Sequence, residues 1–215
     1  MKITEPAVEI VSLDDYSTII QKIERIGRVC YKSEDAITDD SAERFISGLL
    51  RRGHESVIEH ESVSVRITCD RGITHEIVRH RLGSYSQEST RYCNYSGDAF
   101  GNQITVIDLS SGFSYDLSKA ADSQKFEVWK NAMNQAEESY FQLLKLGASP
   151  EEARSVLPNS LKTEIVVTMN LREWRHFCRL RCSSQAHPQM QQVATMIYKL
   201  FREKLPVFFQ DIEIS

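Results

Sequence analysis

The chain has 215 residues, 30 of them acidic and 26 basic, for a net charge of −4. That length can bury one sizeable core, and the acidic balance argues against a protein that lives on non-specific phosphate contacts along a nucleic acid, which normally shows a basic excess. Met1 to Val11 carries Lys2, Glu5 and Glu9 without an apolar run, so neither a signal peptide nor a membrane anchor is expected there and the expected location is cytoplasmic. Five cysteines without CxxC spacing suit free thiols in a reducing compartment rather than a disulfide frame or a zinc site.

In chain order, residues 8–13 read as a short strand. A helix follows from about Asp15 to Tyr31, with Ile19, Ile20, Ile23 and Ile26 at helical spacing. A second helix, about Asp40 to Arg52, closes at Gly53. Residues 62–69 alternate Val63, Val65 and Ile67 with Ser64, Arg66 and Thr68, the period of a half-buried antiparallel strand. Helical spacing resumes from Gly72 to His80, and Gly83 with the Ser, Gln and Thr run after it predicts an irregular loop to Arg91. Residues 100–113, rich in Gly, Asn and Ser around the strand 104–107, read as the region most tolerant of disorder or insertion.

A long amphipathic helix is expected over residues 118–146. Ser149 then caps a helix with Pro150 in its first position that stops near Pro158. The β-branched run 163–169 predicts a core strand, 172–181 a helix, and 189–205 a final amphipathic helix. Helices mixed with non-alternating strands predict an α+β fold, one domain over 1–215 with a mainly antiparallel sheet packed by long helices. No GxGxxG or GxxxxGK fingerprint is present.

Two local clusters of positive charge stand out in this acidic chain. In residues 76–91, Arg79, His80, Arg81 and Arg91 fall among Ser84, Ser86 and Ser89, a supply of bidentate guanidinium and hydroxyl donors suited to a small anion. A bland alternative is a solvated helix face in which Glu76 and His80 pair at i,i+4. In residues 170–181, Arg172, His176 and Arg179 share one helical face, and Leu171, Trp174, Phe177 and Cys178 take the other. Arg181 turns toward the apolar side, where it needs a ligand anion or a core carboxylate. His54 and His60 lie in a loop near carboxylates, but without a third ligand they favour a positioning role over a metal. For Arg154, plain surface exposure is the alternative to a role in binding.

The stretch Arg79-His80-Arg81-x-x-Ser84-x-Ser86-x-x-Ser89-x-Arg91 closely resembles the RHRxxSxxxxSxR signature of the flavin-dependent thymidylate synthases. Gly53-His54-x-Ser56-x-x-Glu59-His60, Ala153-Arg154-x-Val156-Leu157-Pro158 and Asn170-x-Arg172-x-x-x-His176-Phe177-x-x-Leu180-Arg181 resemble further family segments in the same order. The resemblance implies a homotetramer that transfers a methylene from methylenetetrahydrofolate to C5 of dUMP, with FAD reduced by NADPH as hydride source and no cysteine nucleophile. By residue-wise match it assigns Glu76, Ile77, Val78, Arg79, Gln87, Glu88, Ser89, Thr90, Arg91 and Arg154 to dUMP, with Ser89 and Arg91 nearest the phosphate. Arg181 becomes the catalytic residue that polarises the uracil. Ser56, Arg79, His80, Arg81, Gln87, Asn170, Leu171, Arg172 and His176 would face FAD, Ser56 serving a neighbouring subunit's flavin, and His54 would handle folate or nicotinamide. No metal is implied.

Two departures are visible: Ser86 stands where many members have Asn, and Ala186-His187-Pro188-Gln189-Met190 replaces a tail that often reads Ala-Gln-x-Glu-Ile. Other readings of the residues stay open. A nucleotide- or RNA-binding module could use the Arg-rich loop with Tyr85 and Tyr92, and a metallohydrolase could use the histidines.

Overall fold

The alternation of Val63, Val65, Ile67 and Cys69 with polar neighbours builds a strand over Ser62–Asp70 in the computed structural model, which describes residues 1–97 and 100–214. All four of those side chains are buried, as the period of 2 requires. Counting Lys2–Thr4 as β1 and Ala7–Ser12 as β2, this strand is β3; Ser84–Gln87 is β4, Thr105–Ile107 β5 and Lys162–Asn170 β6. The order β2-β3-β6-β4 makes a four-stranded antiparallel sheet, and β1 pairs in parallel with β5, with Ile3 opposite Val106. β6 repeats the alternation by burying Thr163, Ile165, Val167 and Met169. The architecture is α+β, as the element pattern predicts.

One prediction fails at β4, where the Ser- and Gln-rich stretch after Gly83 was expected to be irregular. Residues 84–87 form the last strand of the sheet order instead. Backbone pairing needs no apolar side chain, so a polar edge strand gives no hydrophobic signal to read.

The chain divides into two compact units interleaved along the sequence. The first comprises Met1–Ala7, Ile67–Arg79 and Ser86–Ile165. Its helices are α3 (Arg71–Ile77), α4 (Leu109–Gly112), α5 (Ala120–Lys145) and α6 (Pro150–Ala153). Its core gathers Tyr95, Ile104, Val106, Met133, Tyr140 and Leu161, with the Tyr95 and Tyr140 rings edge-on at 5.7 Å. Ile104, Val106 and Ile107 therefore tie the segment 100–113 to buried neighbours.

Two helices of this unit are shorter than their spacing predicts. Asp70 caps α3 by accepting the Ile73 N–H at 2.7 Å, but the helix ends at Ile77, where the Arg79 N–H turns to the Glu76 carbonyl at 3.1 Å and tightens the last turn. α6 begins as expected, with Ser149 and Glu152 in a reciprocal capping box and Pro150 in the first turn. It gives way to a 3-10 turn over Arg154–Val156, and Leu157 is extended at ψ 137° ahead of Pro158.

The second unit comprises Val8–Arg66, His80–Tyr85 and Val166–Ser215. It holds α1 (Tyr16–Val29), α2 (Ser41–Arg51), α7 (Leu171–Arg181), α8 (Pro188–Lys204) and α9 (Pro206–Phe209). α1 buries Ile19 and Ile23, and α2 buries Ile46 and Leu49. α7 buries Leu171, Trp174, Phe177 and Cys178, the face its sequence predicts. The Trp174 indole donates to the Val63 carbonyl at 3.0 Å, and its ring meets Phe201 edge-on at 5.2 Å.

The core also holds Arg175, whose side chain has no exposed surface. Its guanidinium donates to Asp211 at 2.6 Å, to Glu55 at 3.1 Å and to the Phe208 carbonyl. Burial by itself would raise both carboxyls. Arg179 and Arg175 outweigh it at Glu55, and Arg175 outweighs it at Asp211, so each is held below its ordinary range. No helix among the described residues is long and apolar enough to cross a membrane.

Two stability changes follow. A Cβ at Gly27 would lie 2.7 Å from Cε1 of Phe45, so Gly27→Ala should destabilise by about 1–3 kcal/mol through overpacking. Arg175→Met, which takes the buried cation from Glu55 and Asp211 and leaves them the exposed Arg179, should cost about 3 kcal/mol, the low end for a broken buried pair because Arg179 and some contact with water remain to both carboxylates. Urea-denaturation midpoints of the two variants check both.

Candidate functional site

In the second unit, the loop after α3 places His80 beneath α7. The Gly83 N–H donates to the His80 carbonyl at 3.2 Å, and the Tyr85 hydroxyl donates to the same oxygen. A Cβ at Gly83 would lie 2.7 Å from that hydroxyl, so only glycine lets the loop close this way. His80 is 4% exposed, with its ring 4.9 Å from that of Phe177. Its Nδ1 faces Glu173 Oε1 at 3.0 Å, and Arg181 donates from Nε to its Nε2 at 3.1 Å. Burial depresses the His80 pKa, the Glu173 carboxylate partly offsets this, and the charges of Arg181 and His176 add to the depression. The imidazole is therefore neutral at neutral pH.

The surface pairing of Glu76 with His80 is not what the fold uses, since His80 is buried and partnered by Glu173. Arg181 donates from Nε to the buried His80 imidazole.

The ligand atoms of His80, Glu173 and His176 lie within 4.8 Å of one another, close enough to suggest a cation. Both His80 nitrogens are already engaged, however, and a metal would have to displace the Arg181 guanidinium. Polar positioning suits this donor set better. His54 is exposed, with Nδ1 2.8 Å from the Tyr31 hydroxyl.

Beside this cluster opens a cleft of about 560 Å³, lined by Asn170, Arg172, His176 and Arg179 together with Glu55, Glu59, Glu173 and Leu82. Asn170 caps α7, accepting the Glu173 N–H at 2.9 Å, which fixes the helix start at the cleft. Arg172 pairs with Glu59, and Arg179 with Glu55 at 3.0 Å. Exposed pairs of this kind contribute little to stability, so an anionic ligand can exchange for a carboxylate partner at small cost. Of the residues expected at the flavin, Asn170, Arg172 and His176 line the cleft. Leu171 is buried beneath it, whereas Ser56 and Arg81 are exposed outside the lining. Arg79 and Gln87 belong to the first unit.

In the first unit Gln87 and Glu88, both expected at dUMP, lie at the end of β4 against the start of β6. Gln87 donates to the hydroxyls of Thr74 and Thr163 at 3.2 and 3.3 Å. Glu88 accepts from Lys162 at 3.1 Å and from the Tyr95 hydroxyl at 3.2 Å, and its carbonyl accepts from Arg71 at 3.2 Å. Ser89 Oγ accepts the Arg91 N–H at 3.2 Å, and Arg91 pairs with Glu151 on the surface. Thr90 is buried, as is Ile77, while Val78, Arg79 and Arg154 are exposed. Burial would lower Lys162, but Glu164 and Glu88 outweigh it and keep the amine charged.

Lys162, Tyr95 and Glu173 were not singled out from the sequence. Lys162 had a usable signal in its i,i+2 spacing to Glu164 on one strand face. Glu173 had one in standing three residues from both Asn170 and His176.

The family model for thymidylate synthase complementing protein matches residues 12–207. A flavin-dependent thymidylate synthase of Geobacter sulfurreducens is 33% identical over 192 residues, covering 86% of this chain and 78% of the relative. One from Corynebacterium aurimucosum is 35% identical over 199 residues, 90% of this chain and 80% of the relative. One from Pyrococcus abyssi is 35% identical over 164 residues, 76% of this chain and 64% of the relative. With a family match running from residue 12 to residue 207, and these likenesses over most of its length, the chain belongs to the thymidylate synthase complementing protein family.

Proposed function

We propose that this protein is a cytoplasmic, FAD-dependent thymidylate synthase that converts dUMP to dTMP, taking the carbon from methylenetetrahydrofolate and the reducing equivalents from NADPH. The observation that carries the reading is the cleft of the second unit, lined by Asn170, Arg172 and His176, three residues expected at the flavin from the sequence resemblance. The relatives' shared description as flavin-dependent thymidylate synthases supports it.

The donor set fits a flavin. Arg172, Arg179, the Asn170 amide and the His176 ring offer donors beside the apolar Leu82. When bound, FAD reduced by NADPH supplies the hydride that completes the methyl group.

The chain's own residues bind and polarise the nucleotide. Ser89 and Arg91 hold the phosphate of dUMP, aided by the charged Lys162 nearby on β6, and the Arg181 guanidinium stabilises the negative charge that develops on the uracil as C5 becomes nucleophilic. Ser89 is a binding group rather than a nucleophile, since its hydroxyl oxygen accepts the Arg91 backbone N–H. Three of the cysteines fit a route without a thiolate: burial pushes the Cys69 thiol up, burial followed by the Glu88 charge pushes Cys93 up, and the Cys182 hydrogen bond followed by burial pushes Cys178 up. His54, with Tyr31 as its partner, handles folate or nicotinamide.

Assembly as a homotetramer is part of the proposal. α5 runs for 26 residues with Met133 and Tyr140 as its buried side chains, which leaves most of its length for contact with a neighbouring subunit.

Purified protein supplied with FAD, NADPH and methylenetetrahydrofolate should release an isotopic hydrogen label from C5 of dUMP. In Arg181→Ala the release rate should fall about 10²–10³-fold, as when a donor to a developing oxyanion is removed. Absence of folate-dependent release from the flavin-loaded parent protein would overturn the reading. Arg91→Ala should raise KM for dUMP about 10–100-fold, the worth of one charge-assisted hydrogen bond, with a smaller change in kcat; steady-state kinetics in dUMP decide it.

A further inference from the structure

Glu173 has no part in the sequence motifs, yet it is buried at the start of α7 with its carboxylate on His80. The hydrogen bonds around His80 admit one proton arrangement. The Nε of an arginine is always protonated and has no accepting lone pair, so the 3.1 Å contact from Arg181 makes Nε2 of His80 the acceptor. A neutral ring whose Nε2 accepts carries its proton on Nδ1, and Nδ1 faces the Glu173 carboxylate at 3.0 Å. The Nε2–H tautomer would set N–H against N–H at Arg181 and leave a bare nitrogen against a carboxylate.

We propose that Glu173 and His80 are a positioning relay for Arg181: Glu173 fixes the Nδ1–H tautomer of His80, and the Nε2 lone pair so exposed holds the Arg181 guanidinium in its working orientation. What Arg181 does once held rests on the thymidylate synthase reading. The relay itself rests on the geometry.

Every element packed on the ring contributes to this setting. From α7 come the charged or titratable Glu173, His176 and Arg181 and the apolar face of Phe177, and from the loop the Tyr85 hydroxyl grips the His80 carbonyl. Protonation of His80 puts a hydrogen on Nε2 and a positive charge against Arg181, so it releases the guanidinium. The His80 pKa is depressed, first by burial, so the neutral, holding form is present through neutral pH and is lost only as the pH falls through that depressed value. The relay thus sets an acid limb on kcat.

Two substitutions separate charge from acceptor. Glu173→Gln keeps a carbonyl that can accept the Nδ1–H but removes the negative charge that favours the imidazolium, so kcat at neutral pH should stay near the parental value while the acid limb moves to lower pH. Glu173→Leu removes the acceptor, and kcat should fall about 10–100-fold with KM for dUMP nearly unchanged, since the phosphate contacts are elsewhere. An acid limb that does not move in the Gln variant, or a parental kcat in the Leu variant, would overturn the relay.

A readout independent of turnover is the ¹⁵N NMR spectrum of the histidine-labelled protein, with His80 assigned by its loss in His80→Gln. The expected spectrum has Nδ1 protonated and Nε2 bare in the parent and in Glu173→Gln. A parental Nε2–H tautomer would sink the proposal whether or not the protein turns over. A parent that shows the Nδ1–H tautomer but releases no label from dUMP would instead leave the relay standing and remove the synthase reading.

Discussion

A guanidinium sealed from water sits at the centre of the second unit, and most of what surrounds the cleft is arranged to make it tolerable. Arg175 cannot lose its charge, so the fold must bring it acceptors: Asp211 after α9, the Phe208 carbonyl within α9, and Glu55 ahead of the 3-10 turn at Ser56–His60. Those partners come from segments far apart in sequence. Once they are in place, Glu55 is fixed at the cleft wall, where it also receives Arg179. The charge on one buried side chain therefore decides where a cleft carboxylate stands, and with it the electrostatics that Arg172 and Arg179 present to a ligand.

Much of this was legible in the residues. The alternation of residues 62–69, the helical spacing of Ile19 and Ile23, the Ser149-Pro150 start and the two faces of α7 all report burial directly, because burial is what their periodicity encodes. The charged clusters could be seen as unusual, and family resemblance supplied roles. What remained hidden has no periodic signature. β4 is a polar strand held by backbone pairing, β1 is three residues long, and α9 is a single turn. Arg175 was visible only as one more arginine in a basic run, since its isolation from solvent depends on carboxylates contributed by distant segments. Glu173 was overlooked for the related reason that its partner lies 93 residues away in sequence.

The acidic net charge also acquires a local meaning. Arg91 is paired with Glu151, Arg172 with Glu59, Arg179 with Glu55 and Lys162 with Glu88 and Glu164. Arg91 in the first cluster and Arg172 and Arg179 in the second thus stand beside carboxylates, which lets an acidic protein keep local positive charge without attracting polyanions indiscriminately. A small anion that offers several acceptors at once competes with such carboxylates through bidentate geometry, a contact that a lone glutamate satisfies only in part.

That the signature stretch runs through β4 rather than a loop changes what its spacing means. A loop absorbs an added residue by bulging. In a paired strand the side chains alternate strictly, and the pairing continues past the strand's end, with the Glu88 N–H bonded to the Glu164 carbonyl at 2.8 Å. One inserted or deleted residue between Ser84 and Gln87 would turn every following side chain to the opposite face, carrying Gln87 away from the Thr74 and Thr163 hydroxyls without substituting any motif residue. The interval between the arginines and Ser89 is thus a length measured in strand register, and it admits substitutions far more readily than a change in count.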